Sequence, residues 1–226
     1  MEESKNNGES LKVTDGDRYR AVGELIKKSA PSTVYYSLLI FSSIIVGCGV
    51  LLNNMAILIG GMLVAPVLTP ALALALGVSV GDVKLISKEF WLLVKSFIII
   101  GAAAAVMTII FGKPENFFAV ENTLRAAALW FTVAVASGAG ATYAWVRKEI
   151  ADVLPGIAVS VSLVPPISLT GVLMMAGDFF SARFYFLVFS LNLLGIVIGS
   201  LVVFSMLRFY KAEKRIKSVE SESQEG

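Results

Sequence analysis

Six long apolar stretches, separated by short polar segments, account for most of the 226 residues. They cover about residues 34–52, 55–79, 90–112, 126–146, 154–177 and 184–207. Because a bilayer core of about 30 Å requires roughly 20 apolar residues per helix, each stretch is long enough to cross it. The pattern therefore predicts an all-α, polytopic membrane protein with six transmembrane helices.

The second and fifth stretches resemble one another and carry prolines near their middle. The segment LVAPVLTPAL begins at Leu63 and LVPPISLTGV begins at Leu163, and each stretch ends in a Gly-Asp pair. In a three-plus-three arrangement, two such helices cross the membrane in opposite directions, as in inverted-repeat transporters. A proline removes a backbone donor and crowds the preceding turn. We therefore expect two inverted three-helix repeats, residues 34–112 and 126–207, with second helices broken at the prolines.

Basic residues are concentrated in the segments that six spans would place on one side. Segment 1–33, tail 208–226 and the loops after the second and fourth stretches hold most of the 19 lysines and arginines. The opposite side, which includes the loop at 113–125, has three basic residues by comparison: Lys113, Arg125 and Arg183. The positive-inside rule then predicts that both termini of this multi-pass protein are cytoplasmic.

Segment 1–33 contains a short amphipathic helix, DRYRAVGELIKKSAP, in which Tyr19, Val22 and Leu25 or Ile26 share one face. Two interpretations are open: the helix lies along the membrane surface, or it is a solvated lead into the first span. The tail is basic and then acidic, which predicts disorder at its end and contact of its basic half with anionic lipid. Membrane lipid is therefore an expected partner.

The composition excludes several classes of protein. Hydrophobic residues make up 56% of the chain and charged residues 16%, and the formal charge of +2 is too small to suggest a nucleic-acid partner. There is no histidine, and Cys48 lies inside the first stretch. Histidine-based metal sites and catalytic triads are therefore not expected. Since no acidic residue falls in the interior of any stretch, we predict no carboxylate proton relay, no metal, no cofactor and no enzymatic activity.

The candidate binding site comprises the two proline breaks and the polar groups around them. Carbonyls one turn before each proline lose their donors and could hold a cation, while the half-helices that follow begin with N–H groups that favour an anion. Alternatively, the hydroxyls bond their own helices and the prolines are packing kinks. The candidate residues are Pro66, Thr69, Pro70, Ser162, Pro165, Pro166, Ser168, Thr170 and Asn192, the last of which either faces the site or bonds across helices.

These features favour a secondary transporter for a small polar or ionic solute, with an anion preferred because two half-helix N-termini converge. An ion channel is one alternative. A second alternative is a non-transporting assembly or stress-response protein, since small-residue motifs such as Gly195 and Gly199 in a G-x-x-x-G pattern allow close helix packing. The same motifs are compatible with a homo-oligomer.

Two sequence blocks also resemble a known family. LLNNMAILIGGMLVAPVLTPALALALG, from Leu51, and PGIAVSVSLVPPISLTGVLMMAGD, from Pro155, together with the later Asn192, are similar to the two signature blocks of domain of unknown function 389. The resemblance extends over residues 37–204. It implies a six-helix protein in the cell membrane of a bacterium or archaeon, with no established activity.

Overall fold

In a computed structural model of the chain, residues 15–114, 123–147 and 154–209 are described, and the regular structure within these ranges is helical. For residues 154–162 the description is limited to the backbone helix. The helices are α1 Asp15–Lys28, α2 Thr33–Leu51, α3 Met55–Val64, α4 Leu68–Val80, α5 Val83–Phe111, α6 Leu124–Val146, α7 Leu154–Met175 and α8 Phe179–Met206.

Several helices have the length and composition needed to cross a membrane. Among the described residues, α2, α5, α6 and α8 meet that condition singly, and α3 with α4 forms a bent pair that adds a fifth candidate. The part of α7 with described side chains, Leu163–Met175, is a shorter apolar helix. The chain is thus all-α and its helices are compatible with a membrane protein.

Polar turns end these helices where the sequence places them. Asn53 adopts a left-handed conformation with φ 47°, and the Asn54 side chain caps the first turn of α3. Gly81 and Gly177 have φ values of 73° and 81°, and each is followed by an aspartate whose carboxylate accepts hydrogen bonds from the first-turn N–H groups of the next helix. The corners after α4 and α7 are therefore built in the same way.

Glycines allow two pairs of helices to approach closely. A Cβ atom added at Gly199 of α8 would collide with the backbone of Val135 in α6, and one added at Gly171 of α7 would collide with the backbone of Gly101 in α5. Dispersion contacts between backbones at such crossings stabilise helix association where apolar burial contributes little. These contacts hold α6 to α8 and α5 to α7.

Helix α1 packs against the bundle, which differs from both interpretations of this segment. Ala21, Val22, Leu25 and Ile26 are at most 2% exposed, whereas Tyr19 is 46% exposed. The helix contacts α4 and α6. An apolar stripe on a surface helix can be covered by lipid or by protein, and here protein covers it.

Two arginines fix α1 to the ends of other helices. Arg18 donates from Nε to the Leu207 carbonyl at the end of α8 (2.8 Å), and Arg20 donates from Nη2 to the Val146 carbonyl at the end of α6 (3.2 Å). Cationic groups are favourable at helix C-termini, where carbonyls lack intrahelical donors. We call this side of the bundle, where α6 and α8 finish and α5 begins, the α1 end.

The predicted break in the second helix of the second repeat is wrong. Helix α7 is continuous from Leu154 to Met175, with Pro165 and Pro166 inside it. A proline can hold helical φ while withholding one donor. At Gly171 the backbone of this helix packs closely against the backbone of Gly101 in α5.

The helix that contains the predicted third span begins seven residues before residue 90. Helix α5 starts at Val83 because the Asp82 carboxylate accepts hydrogen bonds from Lys84 N and Leu85 N. Glu89 therefore lies inside the helix, and it is 0% exposed. This acidic side chain is buried in α5 one residue before the predicted span of 90–112. Parts of the predicted loop and tail, residues 115–122 and 210–226, lie outside the described residues.

Candidate functional site

The interruption between α3 and α4 is the main irregularity in the described backbone. Helix α3 ends where Ala65 takes an extended conformation with φ −66° and ψ 120°, and the two helices meet at 57°. Ala65 and Val67 are buried, and Pro66 is half-buried. Helix α4 begins without a side-chain cap. A backbone break of this kind at membrane depth requires cover by protein or an aqueous cavity.

Contacts of α2 show the level along the helix bundle at which this break lies. Ser42 of α2 donates from Oγ to the Gly61 carbonyl of α3 at 2.8 Å, so the end of α3 lies near Ser42. On either side of this point, α2 contacts α5 at Ser96 and at Ala104. The break therefore begins at a level that corresponds to the stretch of α5 between those two residues.

The middle of α7 lies at the same level. Gly101 lies within that stretch of α5, and a Cβ atom added to it would be 3.6 Å from the Ile167 carbonyl oxygen. The backbone of Gly101 also contacts Gly171. Both α3 and α4 contact α7. The proline segment of α7 thus lies at the level of the break, in a helix that contacts both α3 and α4 and remains helical there.

The hydroxyls of α7 differ in their use. Thr170 donates from Oγ1 to the Pro166 carbonyl at 2.8 Å, which is a bond within its own helix. Ser168 is 0% exposed, and its Oγ has no hydrogen-bond partner in the described structure. A buried hydroxyl without a partner costs about 1–3 kcal/mol. Ser168 is therefore the candidate residue whose chemistry is left unused by the fold.

The other candidate residues fall into three groups. Thr69 lies on the α1 side of the break, where its Oγ1 donates to the Lys28 carbonyl at 3.3 Å. Pro70 is buried in the first turn of α4, and Asn192 is 0% exposed in α8. The side chain of Ser162 lies outside the described residues. Their role in binding a solute stays a prediction.

A second polar cluster lies nearer the α1 end. Ser29, just after α1, donates from Oγ to Glu89 Oε1 of α5 at 3.0 Å, and both residues are 0% exposed. Lys88 Nζ is 3.8 Å from the same carboxylate oxygen. Further along the buried face of α5, Ser96 Oγ lies 2.7 Å from the Tyr35 hydroxyl of α2. Polar groups of α2, of α5 and of the residue after α1 are therefore buried at this end, and Lys28, next to Ser29, contacts Thr69 at the start of α4.

Sequence reasoning missed this cluster, although a signal was present. Leu85, Glu89, Leu92 and Ser96 recur at helical spacing and share the buried face of α5. A charged residue on the apolar face of a predicted helix indicates a buried polar site. Hydropathy windows instead treat such a residue as the limit of a span.

Comparison with known proteins supports the family resemblance that the two sequence blocks indicated. Residues 62–198, which contain the break and most of α5–α8, match the family model described as domain of unknown function (DUF389). The chain belongs to this family. The DUF389 match begins at Met62, within the last turn of α3, so it includes both proline segments.

A curated relative extends the similarity over nearly the whole chain. It is an uncharacterized protein of Methanocaldococcus jannaschii, 27% identical over 225 residues, which cover 96% of this chain and 68% of the relative. No solved structure matches the chain. The DUF389 assignment names no activity, so the function must be argued from the site.

Proposed function

We propose that this DUF389 protein transports a small polar or ionic solute across a cell membrane, through a site between the α3–α4 break and the middle of α7. The observation that carries the proposal is Ser168, a buried hydroxyl without a hydrogen bond in a helix that contacts both halves of the broken α3–α4 pair. Interrupted helices with uncapped ends are the usual binding elements of membrane transporters.

The chemistry of the break favours an anion. The first turn of α4 follows Val67 with no side-chain cap, and the first N–H groups of a helix carry a partial positive charge. Ser168 adds a hydroxyl donor from the facing helix. A cation bound to carbonyls at the end of α3 is the alternative. Pro66 cannot donate to the Met62 carbonyl, which accepts a hydrogen bond from Ala65 N at 3.2 Å and keeps a second lone pair.

The pattern of helix contacts supports an inverted repeat. In an inverted repeat, α2 corresponds to α6, the α3–α4 pair to α7, and α5 to α8. The contact between α4 and α8 then corresponds to the contact between α7 and α5, and both contacts occur. The α2–α5 contact likewise corresponds to the α6–α8 contact. The matching Gly-Asp corners add to this. A rocking movement of one repeat against the other would then expose the site to each side in turn.

The distribution of charge supports a cytoplasmic α1 end. Arg18, Arg20, Lys28, Lys88 and Arg147 lie on or beside helices that meet at that end. Basic residues next to membrane spans favour the cytoplasmic side. We therefore place both termini of the protein in the cytoplasm.

The proposal is tested first by ligand-dependent stability of the detergent-purified protein. The panel consists of chloride, phosphate, sulfate, sodium, potassium and neutral amino acids. A true ligand at 100 times its dissociation constant adds about 2.7 kcal/mol to the free energy of unfolding. The stabilising solute is then used in uptake assays with proteoliposomes.

The site is tested with Ser168→Ala, and Ser190→Ala serves as the matched control because the Ser190 hydroxyl already bonds its own helix at the Phe186 carbonyl. Loss of one hydrogen bond to the solute should weaken its binding about 2- to 10-fold. The control should bind normally. Equal binding by both variants would contradict the site, and the absence of any stabilising solute together with the absence of flux would contradict transport.

A further inference from the structure

We propose that Glu89 is a reversible proton-binding site, in which the Ser29 hydroxyl supports both the charged and the neutral carboxyl. Proton binding is inferred from the cluster itself. Only the role of that proton as a coupling ion rests on the proposed transport function. Neither proton binding at Glu89 nor a function for Ser29 follows from membership of the DUF389 family.

Ser29 has two alternative acceptors within hydrogen-bond distance. Its Oγ is 3.0 Å from Glu89 Oε1 and 3.1 Å from the Ile26 carbonyl. When Glu89 is a carboxylate, the Ser29 proton is donated to Oε1. When Glu89 is protonated, its O–H can donate to Ser29 Oγ while the Ser29 proton turns to Ile26. One proton enters, and no hydrogen bond between the two side chains is lost.

The charges around Glu89 fit a site that exchanges protons with one side of the membrane. Lys88 Nζ is 3.8 Å away, and its side chain is 38% exposed, so a charged group joins the buried carboxyl to the surface. From α2, Tyr35 is within electrostatic reach. From α1, Lys27 and Lys28 are exposed, and Lys28 Nζ lies 5.3 Å from the centre of the Trp145 ring. Helices α4 and α7 contribute no titratable side chain.

The proton site is connected to the α3–α4 break by two contacts. Ser29 follows Lys28, whose carbonyl accepts the hydrogen bond from Thr69 Oγ1 in the first turn of α4. A hydrogen bond to a charged carboxylate is roughly twice as strong as one to a neutral group. The carboxylate therefore holds the residues after α1 more firmly than the acid does. Proton binding loosens the segment that touches the start of α4.

Difference infrared spectroscopy of the full-length protein in lipid nanodiscs measures proton binding without solute or gradient. During an acid titration, we expect the carbonyl-stretch band of a buried protonated carboxyl to appear in the wild type and to be lost in Glu89→Gln. Glu24→Gln is the control, because Glu24 is an exposed glutamate of α1 paired with Arg20. Retention of the band in Glu89→Gln would overturn the proposal.

Ser29→Ala provides a second test that keeps the carboxyl in place. Removal of a donor to the charged form should move the midpoint of the infrared titration to higher pH. Amide hydrogen exchange in the last turn of α1 should be faster in acid than at neutral pH for the wild type, after correction for the intrinsic rate. An unchanged midpoint or pH-independent exchange would contradict the role of Ser29. Since solute is absent, either failure leaves the transport proposal standing.

Discussion

The two proline segments can be compared directly, because one breaks its helix and the other does not. In the first, Pro66 and Pro70 are four residues apart, so an unbroken helix would lack donors in two successive turns. In the second, Pro165 and Pro166 are adjacent, and the missing donors fall within one turn. The number of prolines is the same in both. The spacing of the prolines is therefore one difference that favours an opening in the first segment.

The break also suits the first segment locally. Ala65 is extended, as residues before proline usually are. Pro70 lies in the first turn of α4, where its missing N–H would have had no intrahelical partner. In α7, the residues before each proline must stay helical against that preference. The difference indicates that α7 is held straight by its neighbours.

The largest expected effect comes from restoring a donor in α7. Pro165→Ala supplies an N–H for the Val161 carbonyl and should raise the free energy of unfolding by up to about 3 kcal/mol. Pro66→Ala lies outside a helix and should lower it by roughly 0.4–1 kcal/mol, because the unfolded chain gains freedom. Reversible chemical unfolding in detergent measures both. Changes of the same sign in the two variants would contradict the proposed difference between the segments.

The glycine contact between α7 and α5 tests what keeps α7 straight. Gly171→Ala places a methyl group against the backbone of Gly101 and should lower the free energy of unfolding by about 1–3 kcal/mol. Gly140→Ala in α6 is the matched control, since no atom lies within 4 Å of its added Cβ. The control should gain roughly 0.5–1 kcal/mol from helix propensity. A neutral result at Gly171 would show that α7 stays helical without this contact.

The sequence predicted the parts of the fold that depend on local chemistry. Apolar stretches predicted the helices. The prolines of the first segment indicated the interruption between α3 and α4. Each of these features depends on residues close together in the chain, and that is why hydropathy and proline sterics were sufficient.

The features that sequence reasoning missed depend on distant contacts. The apolar face of α1 fits lipid as well as protein, and its burial follows from helices more than 100 residues away, as in the hydrogen bond from Trp145 Nε1 to the Ala21 carbonyl. The unbroken α7 packs against α5 through Gly171 and Gly101, which are far apart in the chain. Glu89 contacts Ser29, which is 60 residues away. The sequence therefore indicated a candidate site, which stays a prediction, but it did not indicate the covering helix α1 or the buried acidic residue.

The smallest effects concern the two Gly-Asp corners, which are alike and should respond alike. Asp82→Ala removes the N-cap of α5 and should lower the free energy of unfolding by about 1 kcal/mol. At Asp178, hydrogen bonds from the Ser181 side chain and backbone lower the pKa of the carboxyl below its ordinary value. Its contribution is therefore complete above the ordinary pKa of aspartate and is lost as the pH falls through the lower folded value.

Asp178→Asn keeps an oxygen acceptor but cannot titrate, so it isolates this pH dependence. In acid, amide exchange in the first turn of α8 should accelerate in the wild type and stay constant in the variant, after correction for the intrinsic rate. The same measurement on Asp82→Asn shows whether the corner after α4 behaves in the same way. If acid leaves the wild-type exchange at α8 unchanged, the carboxylate of Asp178 does not hold that corner, and the likeness of the two corners is confined to their glycines.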